Sequence, residues 1–270
     1  MANEQLGGLN PASIRETLLA AAAAAAVETL PRYRTSMAVD NKITIGFDPV
    51  TDGDREAERV IRHLITSRFP DHAIVGEEMA AKTAESRFEW IVDPIDGTRA
   101  FICGVPVWGT LIGFKVDGHA EAGMMAQPFT GETYLGMPGQ SLYRRGAEES
   151  LIKTSSVTTL AEAKMSATSP DLFVGADVAP GWNALRAKVL QTRYGLDCYA
   201  YCLLAAGHLD LVVEAGLKNV DIAPLIPIIV NAGGTVTTWD GGPAEEGGNC
   251  VAAATPALHR AAIKVLRDAR

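Results

Sequence analysis

Apolar residues recur at spacings of three and four through Ala57, Val60, Ile61, Leu64 and Ile65. That places one apolar stripe on a helix starting near Asp54 and ending before Pro70. An earlier helix is predicted from Pro11 to about Leu30, because Asn10 can cap it and a proline in its first position gives up no needed hydrogen bond. Short apolar runs follow at 73–75 and 90–92. Strand candidates at 107–116, 120–126 and 133–135, divided by Gly, Asp and Pro, then predict an antiparallel meander. The stretch 136–150 is rich in Gly, Arg and Glu and poor in apolar residues, so it reads as a linker. It sets a domain break near residue 150, between halves 1–150 and 151–270.

Beyond the break the elements alternate: strand 164–167, helices 182–190 and 198–206, strand 209–214, helix 221–231 and strand 235–238. A last helix is opened by Thr255 and Pro256 and turns Leu258, Ile263 and Leu266 inward. The pattern predicts an α+β half followed by an α/β half. Two prolines, Pro224 and Pro227, fall in the 221–231 helix; the first is tolerable in an opening turn and the second is expected to kink it.

With 270 residues, 47% of them hydrophobic, the chain can bury a sizeable core. Its net charge of −8 and the lack of a long basic patch argue against nucleic acid as a partner. The apolar run 18–27 is mostly alanine, follows Arg15 and Glu16 rather than a basic leader, and is half the length of a membrane span. It reads as a soluble helix. Cys103, Cys198, Cys202 and Cys250 show no metal-ligand spacing and are expected to be buried, reduced thiols, which points to the cytoplasm.

The chemistry gathers in carboxylates at element ends: Asp48 and Asp54 in DPVTDGD, Glu77 and Glu78 in GEE, Asp93 and Asp96 in DPIDGT, and Asp221 in NVDIAP. Each alone is a common turn or cap residue. In DPIDGT, however, a strand delivers Asp93, Pro94 fixes a turn and Asp96 follows, so both carboxylates can enter one cleft. Such oxygen-only sets suit Mg²⁺ or Mn²⁺. Gly97 and Thr98 then open a helix whose free N–H groups offer a seat for phosphate. P-loop, dinucleotide-binding, EF-hand, HExxH and GxSxG patterns are absent.

Four motifs, DPVTDGD (48–54), VGEE (75–78), WIVDPIDGT (90–98) and VDIAPLIPIIVNAGG (220–234), resemble in order and spacing the inositol monophosphatase-like phosphatases, which are Mg²⁺-dependent and Li⁺-sensitive. The resemblance implies an αβαβα layered sandwich with its site between the halves. It implies two or three metal ions held by Glu77, Asp93, the Ile95 carbonyl, Asp96 and Asp221, all but the last from the N-terminal half. Asp54 and Thr98 match the pair that positions and activates the attacking water, with Glu77 beside them, and Gly97 and Thr98 match the phosphate seat. Lys42 falls where the family often has a lysine near the water. Homodimers are common in the family and are the expected assembly. The usual W-D before the last ligand helix is Val220–Asp221 here, and the usual Asn-Phe is Ala100–Phe101, departures that argue against a plain inositol phosphatase.

The segments 93–113, 194–214 and 216–227 look most like histidinol-phosphate phosphatases, which implies L-histidinol phosphate, a monoester with an ammonium and an imidazole. Asp197 and Glu214 sit on the segment that would receive its alcohol half, with Tyr199 and Tyr201 nearby; Asp197 equally suits the cap of the helix at Cys198. Arg99 could steer phosphate or form a surface ion pair. Trp108 and Trp239 are expected to be packing residues, and His208 a solvent-facing loop residue. Inositol monophosphate, a sugar bisphosphate or a 3′-phosphonucleotide is the alternative substrate. A non-catalytic binding protein is the alternative class, and it predicts the loss of a ligand that is in fact present.

Overall fold

The computed structural model describes residues 2–36, 38–44 and 46–269. After one helical turn at Ala2–Gln5, the first long helix, α1, runs Pro11–Thr29 with the Asn10 side chain accepting from the Ala12 N–H, and α2 runs Asp52–Arg68 behind Thr51. Both lie on a seven-stranded sheet built in chain order: β1 Ala73–Gly76, β2 Phe88–Asp96, β3 Gly109–Val116, β4 His119–Gln127, β5 Glu132–Met137, β6 Gln140–Arg145 and β7 Glu148–Leu151. β1 and β2 are parallel and β2 to β7 form the expected antiparallel meander. Short helix α3, Thr98–Ile102, follows β2.

The second sheet contains β8 Lys164–Ala167, β9 Gln191–Tyr194, β10 Leu211–Leu217, β11 Thr235–Thr238 and β12 Gly248–Ala253 in the order β9-β8-β10-β12-β11. Helices α4 Ala179–Arg186, α5 Asp197–Ala205, α6 Asn219–Ile222, α7 Ile226–Asn231 and α8 Pro256–Asp268 pack with it, and a two-stranded ribbon pairs Asp40–Asn41 with Pro49–Val50. Alternation along the strands sorts the core into three slabs. Ile14, Leu18 and Ile61 from the outer helices meet Trp90, Ile112 and Phe114 of the first sheet. Its other face, through Leu111 and Met125, meets Cys202, Leu204, Ile226 and Ile228, which also cover Val212 and Ala252 of the second sheet. Leu211, Val213 and Val251 face the opposite way, onto Trp182, Leu185, Leu258 and Leu266. The layers are therefore α, β, α, β, α, as the resemblance implied.

Three elements differ from the sequence reading. The segment 136–150 is sheet, not linker: the end of β5, all of β6 and most of β7 lie in it, and the chain crosses to the second sheet between Leu151 and Lys164. The 221–231 helix is broken at 223–225, one proline earlier than expected; Pro227 sits in the first turn of α7, where it costs no hydrogen bond. Helix 182–190 starts and ends earlier, at Ala179–Arg186. Strands β9 and β12 carry no sequence signal, the first being polar and at an edge, the second GNCVAA and covered on both faces.

The break between α6 and α7 rests on a row of glycines. Gly113, Gly123 and Gly136 are cross-strand partners on β3, β4 and β5. A Cβ on Gly123 would stand 1.9 Å from the Pro224 carbonyl oxygen, and one on Gly136 2.3 Å from the Ile228 nitrogen. Backbone packs directly on backbone there. No described helix is long and apolar enough to cross a membrane.

Candidate active site

Asp93 and Asp96 are three residues apart, so on a regular strand they would face opposite ways. The pairing of β2 with β3 shifts between them: Asp93 opposes Leu111 and Asp96 opposes Gly109, so the Pro94–Ile95 pair faces Thr110 alone. That bulge turns both carboxylates to one side. Pro94, with no N–H to offer the ladder, is suited to it, and its carbonyl accepts from Thr110 Oγ1 at 2.8 Å. Asp93 Oδ1 accepts from the Ile95 N–H at 3.0 Å, and Asp96 Oδ2 accepts from the Cys198 N–H at 2.9 Å.

Asp221 reaches the same place from the second half. Its carboxylate accepts from the Lys218 N–H at 2.7 Å, capping α6 as well as facing the site. One oxygen each of Asp93, Asp96 and Asp221 lies within 4.8 Å of the others. Glu77, just past β1, lines the same pocket. Burial, then the charges of Glu77, Asp96, Asp221 and Asp54, push Asp93 well above the carboxylate range. Burial, then Asp221 and Asp197, does the same to Asp96, and burial raises Asp221 to about 6. Carboxylates crowded in one partly buried pocket at this cost, all of them oxygen donors, fit one or more hard divalent cations.

Burial also works against the Glu77 carboxylate, but Lys42 and Lys218 outweigh it and hold Glu77 below its usual range. Its Oε1 lies 3.1 Å from Lys42 Nζ and 3.0 Å from Lys218 Nζ; Lys42 also bonds Glu78 at 2.5 Å. Lys42 thus meets the site through Glu77. Lys218 was missed as a site residue in the sequence, although its position three residues before Asp221, at capping-box spacing, was a usable signal.

Asp54 occupies the third position of α2. Its Oδ2 accepts from Thr51 N at 2.8 Å and Thr51 Oγ1 at 2.6 Å, leaving Oδ1 3.4 Å from Thr98 Oγ1. Thr98 Oγ1 also donates to the Ile95 carbonyl at 3.0 Å. Burial raises Asp54 above its ordinary value against the two Thr51 bonds. Gly97 holds a left-handed turn, φ +79, where a Cβ would lie 3.2 Å from Asp197 Cβ and 3.3 Å from Trp108 Cα. The Gly97–Thr98 turn therefore stays narrow against both neighbours.

One turn further along α2, Glu58 was missed by sequence reading. It is fully buried and accepts from Arg62 Nε at 2.6 Å, Glu78 N at 2.7 Å and Met79 N at 3.2 Å. It comes so close to the chain that a Cβ on Gly76 would stand 2.0 Å from Glu58 Oε1. Glu58 fixes the backbone that aims Glu77. In Glu58→Gln either amide orientation faces a donor, so calorimetric Mg²⁺ affinity is expected to fall about 10–100-fold, as for other partners that orient a ligand. Unchanged affinity in a merely less stable protein would reduce Glu58 to a structural role.

The pocket has a volume of about 290 Å³, and beyond the carboxylates it is lined by Arg99, Thr168, Leu172, Asp197, Tyr201 and Glu214. Asp197 does not cap α5; it is the first helical residue, at φ +46, and the Cys198 N–H is taken by Asp96. Burial, opposed by Arg99, lifts Asp197 to about 6. Arg99 has no ion pair among the described residues; it donates to the Phe47 carbonyl and stands 5.9 Å over that ring. Burial raises Glu214 to about 8 against two bonds from Thr168. Trp108 and Trp239 are packing residues, fully buried, and His208 is exposed. All four cysteines are free, but Cys103 is exposed, contrary to the expectation that all are buried, because α3 ends there in a turn.

The Inositol monophosphatase family model matches residues 10–270. The chain belongs to that family of phosphatases. It is 42% identical over 197 residues to a protein named bifunctional phosphatase IMPL2, chloroplastic, of Arabidopsis thaliana, a match covering 72% of this chain and 56% of that protein. It is 33% identical over 241 residues to a histidinol-phosphatase of Mycobacterium tuberculosis, covering 88% and 92% of the two. Among solved structures, an inositol monophosphatase from Zymomonas mobilis superposes with a TM-score of 0.82 at 34% identity, over 93% of this chain and 96% of that one.

Proposed function

We propose that the protein hydrolyses L-histidinol phosphate to L-histidinol and phosphate with Mg²⁺, Mn²⁺ being a substitute. The observation that carries this reading is a single pocket holding Asp93, Asp96 and Asp221 together with two further acids, Asp197 and Glu214. The first group suits metal ions; the second suits the ammonium and imidazole of a cationic alcohol. Similarity to histidinol-phosphatases supports it.

Glu77, Asp93, the Ile95 carbonyl, Asp96 and Asp221 would hold two or three ions. When bound, these supply Lewis acidity to the phosphate and lower the pKa of a water molecule. Thr98 Oγ1 hydrogen-bonds the attacking water, and Asp54 Oδ1 beside it receives the proton. The raised affinity of Asp54 for protons suits it to that role. Gly97 and Thr98 seat the phosphate through backbone N–H groups, and Lys42 keeps Glu77 ionised. Arg99 tempers the Asp197 charge at the mouth. The halves 1–150 and 151–270 form the two walls of the site, and the reading includes a cytoplasmic homodimer, the usual assembly in the family.

The test is the ratio of kcat/KM for L-histidinol phosphate to that for myo-inositol 1-phosphate. A ratio of about a hundred, or about 2.7 kcal/mol of transition-state binding, is expected. Asp197→Asn should shrink it by raising KM for histidinol phosphate. A ratio near one leaves the metal chemistry standing and assigns the substrate elsewhere, and equal losses on both esters remove Asp197 from specificity.

A further inference from the structure

Two residues that line the pocket each carry a buried polar atom with no hydrogen-bond partner among the described residues: Tyr201 Oη and Glu214 Oε2. Tyr201 is 3% exposed and Glu214 1%. The other oxygen of Glu214 is fully engaged, accepting from Thr168 N at 2.7 Å and Thr168 Oγ1 at 2.9 Å. That pair of bonds fixes the carboxyl group and leaves Oε2 as its one unpaired oxygen.

Leaving such groups unpaired in a dry site costs free energy that a phenylalanine at 201 would avoid. The neighbouring tyrosines make the contrast. Tyr199, on another face of α5, donates to Glu132 at 2.6 Å, and Tyr143 donates to the same carboxylate at 2.9 Å. Tyr201 is one turn after Asp197 on the pocket side and has no such partner. Leu172, Ala215 and Leu217 supply apolar wall beside it. Burial, and next the Glu214 charge, keep the Tyr201 hydroxyl protonated and available as a donor.

We propose that Tyr201 is a specificity-determining residue: its hydroxyl donates to one ring nitrogen of the substrate while Glu214 Oε2 accepts from the other. Once Glu214 is ionised, a donor and an acceptor on the same pocket are matched by a neutral imidazole, which carries one acceptor nitrogen and one N–H; burial holds Glu214 at about 8, so the carboxyl gives up its proton to solvent as the ring enters. The inference rests on the histidinol phosphate reading and adds to it the residue that recognises the ring. Because a site built around paired polar groups discriminates strongly against ligands that leave them unpaired, the effect falls on binding of the alcohol half.

The test compares wild type and Tyr201→Phe at saturating Mg²⁺ on L-histidinol phosphate and on p-nitrophenyl phosphate, with L-histidinol binding by calorimetry and a melting curve. The expected result is a KM for histidinol phosphate at least tenfold higher with kcat within about threefold, L-histidinol affinity lowered to match, and a loss on the aryl ester at least tenfold smaller. The melting temperature should stay level or rise, since an orphaned hydroxyl is removed without changing shape. A parallel loss on both esters with a lower melting temperature would show a packing role and overturn the proposal. A wild type that prefers histidinol phosphate and a variant that keeps the preference overturn Tyr201 alone; a wild type with no preference overturns the substrate reading and this inference together.

Discussion

Asp93→Asn is expected to lower Mg²⁺-dependent phosphate release by about a thousandfold or more, while the protein stays folded. Several kcal/mol of transition-state stabilisation depend on a correctly held cation, and each 1.36 kcal/mol is about a factor of ten. Asp93 is 2% exposed and has the charges of Glu77, Asp96, Asp221 and Asp54 acting on it. Asparagine keeps the acceptor for the Ile95 N–H and removes the cost of ionising one buried acid among several. The metal-free variant should therefore melt no lower than the metal-free wild type. Phosphate release across a Mg²⁺ titration and a melting curve in chelator separate the two effects. Retained activity at ordinary Mg²⁺ would remove Asp93 from the metal site.

The second large effect is a stabilisation by Mg²⁺ that grows with pH. A carboxylate whose folded pKa is raised binds its proton more tightly folded than unfolded, so its contribution to stability falls as pH climbs from about 4 towards the folded value. Burial sets that value at about 6 for Asp221 and Asp197 and about 8 for Glu214, and higher than ordinary for Asp93 and Asp96. His72 and His259, lowered by burial, act in the opposite sense, losing stability as pH falls. Protons and cations compete for the same oxygens. At a hundredfold excess over Kd a bound ion adds about 2.7 kcal/mol, or on the order of 5 °C for a chain of this size. The Mg²⁺-minus-chelator difference in Tm should be at least twice as large at pH 8 as at pH 5.5. Equal differences would mean that the ions bind elsewhere.

The parts of this fold legible in the sequence are those with local chemistry. Asn10–Pro11 and Thr255–Pro256 mark helix starts where the structure has them, and the stripe from Ala57 to Ile65 is the buried face of α2. β12 was invisible because residues buried on both faces by other layers need no alternation, and GNCVAA carries little strand preference. The sheet at 136–150 is hidden because β6 buries only Ser141 and Leu142 and β7 is exposed throughout, so neither carries an apolar alternation. Asp93, Asp96 and Asp221 could be singled out one by one. That they meet depends on the bulge at Pro94 and on the seat of α6 against the first sheet, which are tertiary facts. Glu58 and Lys218 act across 20 and 141 residues of chain, on Glu78 and Glu77; the spacing of Lys218 from Asp221 marks the cap of α6 and not the reach to Glu77.

The row of Gly113, Gly123 and Gly136 seats the turn between α6 and α7 on the first sheet at main-chain distance. Where side chains mediate a joint, substitutions in the core alter its width a fraction of an ångström at a time. Here the carbonyl of Pro224 rests on the sheet itself, so this part of the gauge between Asp93 and Asp221 is set by main-chain contact. A methyl group at Gly123 or Gly136 would push that turn off the sheet and carry Asp221, three residues before Pro224, away from Asp93 and Asp96.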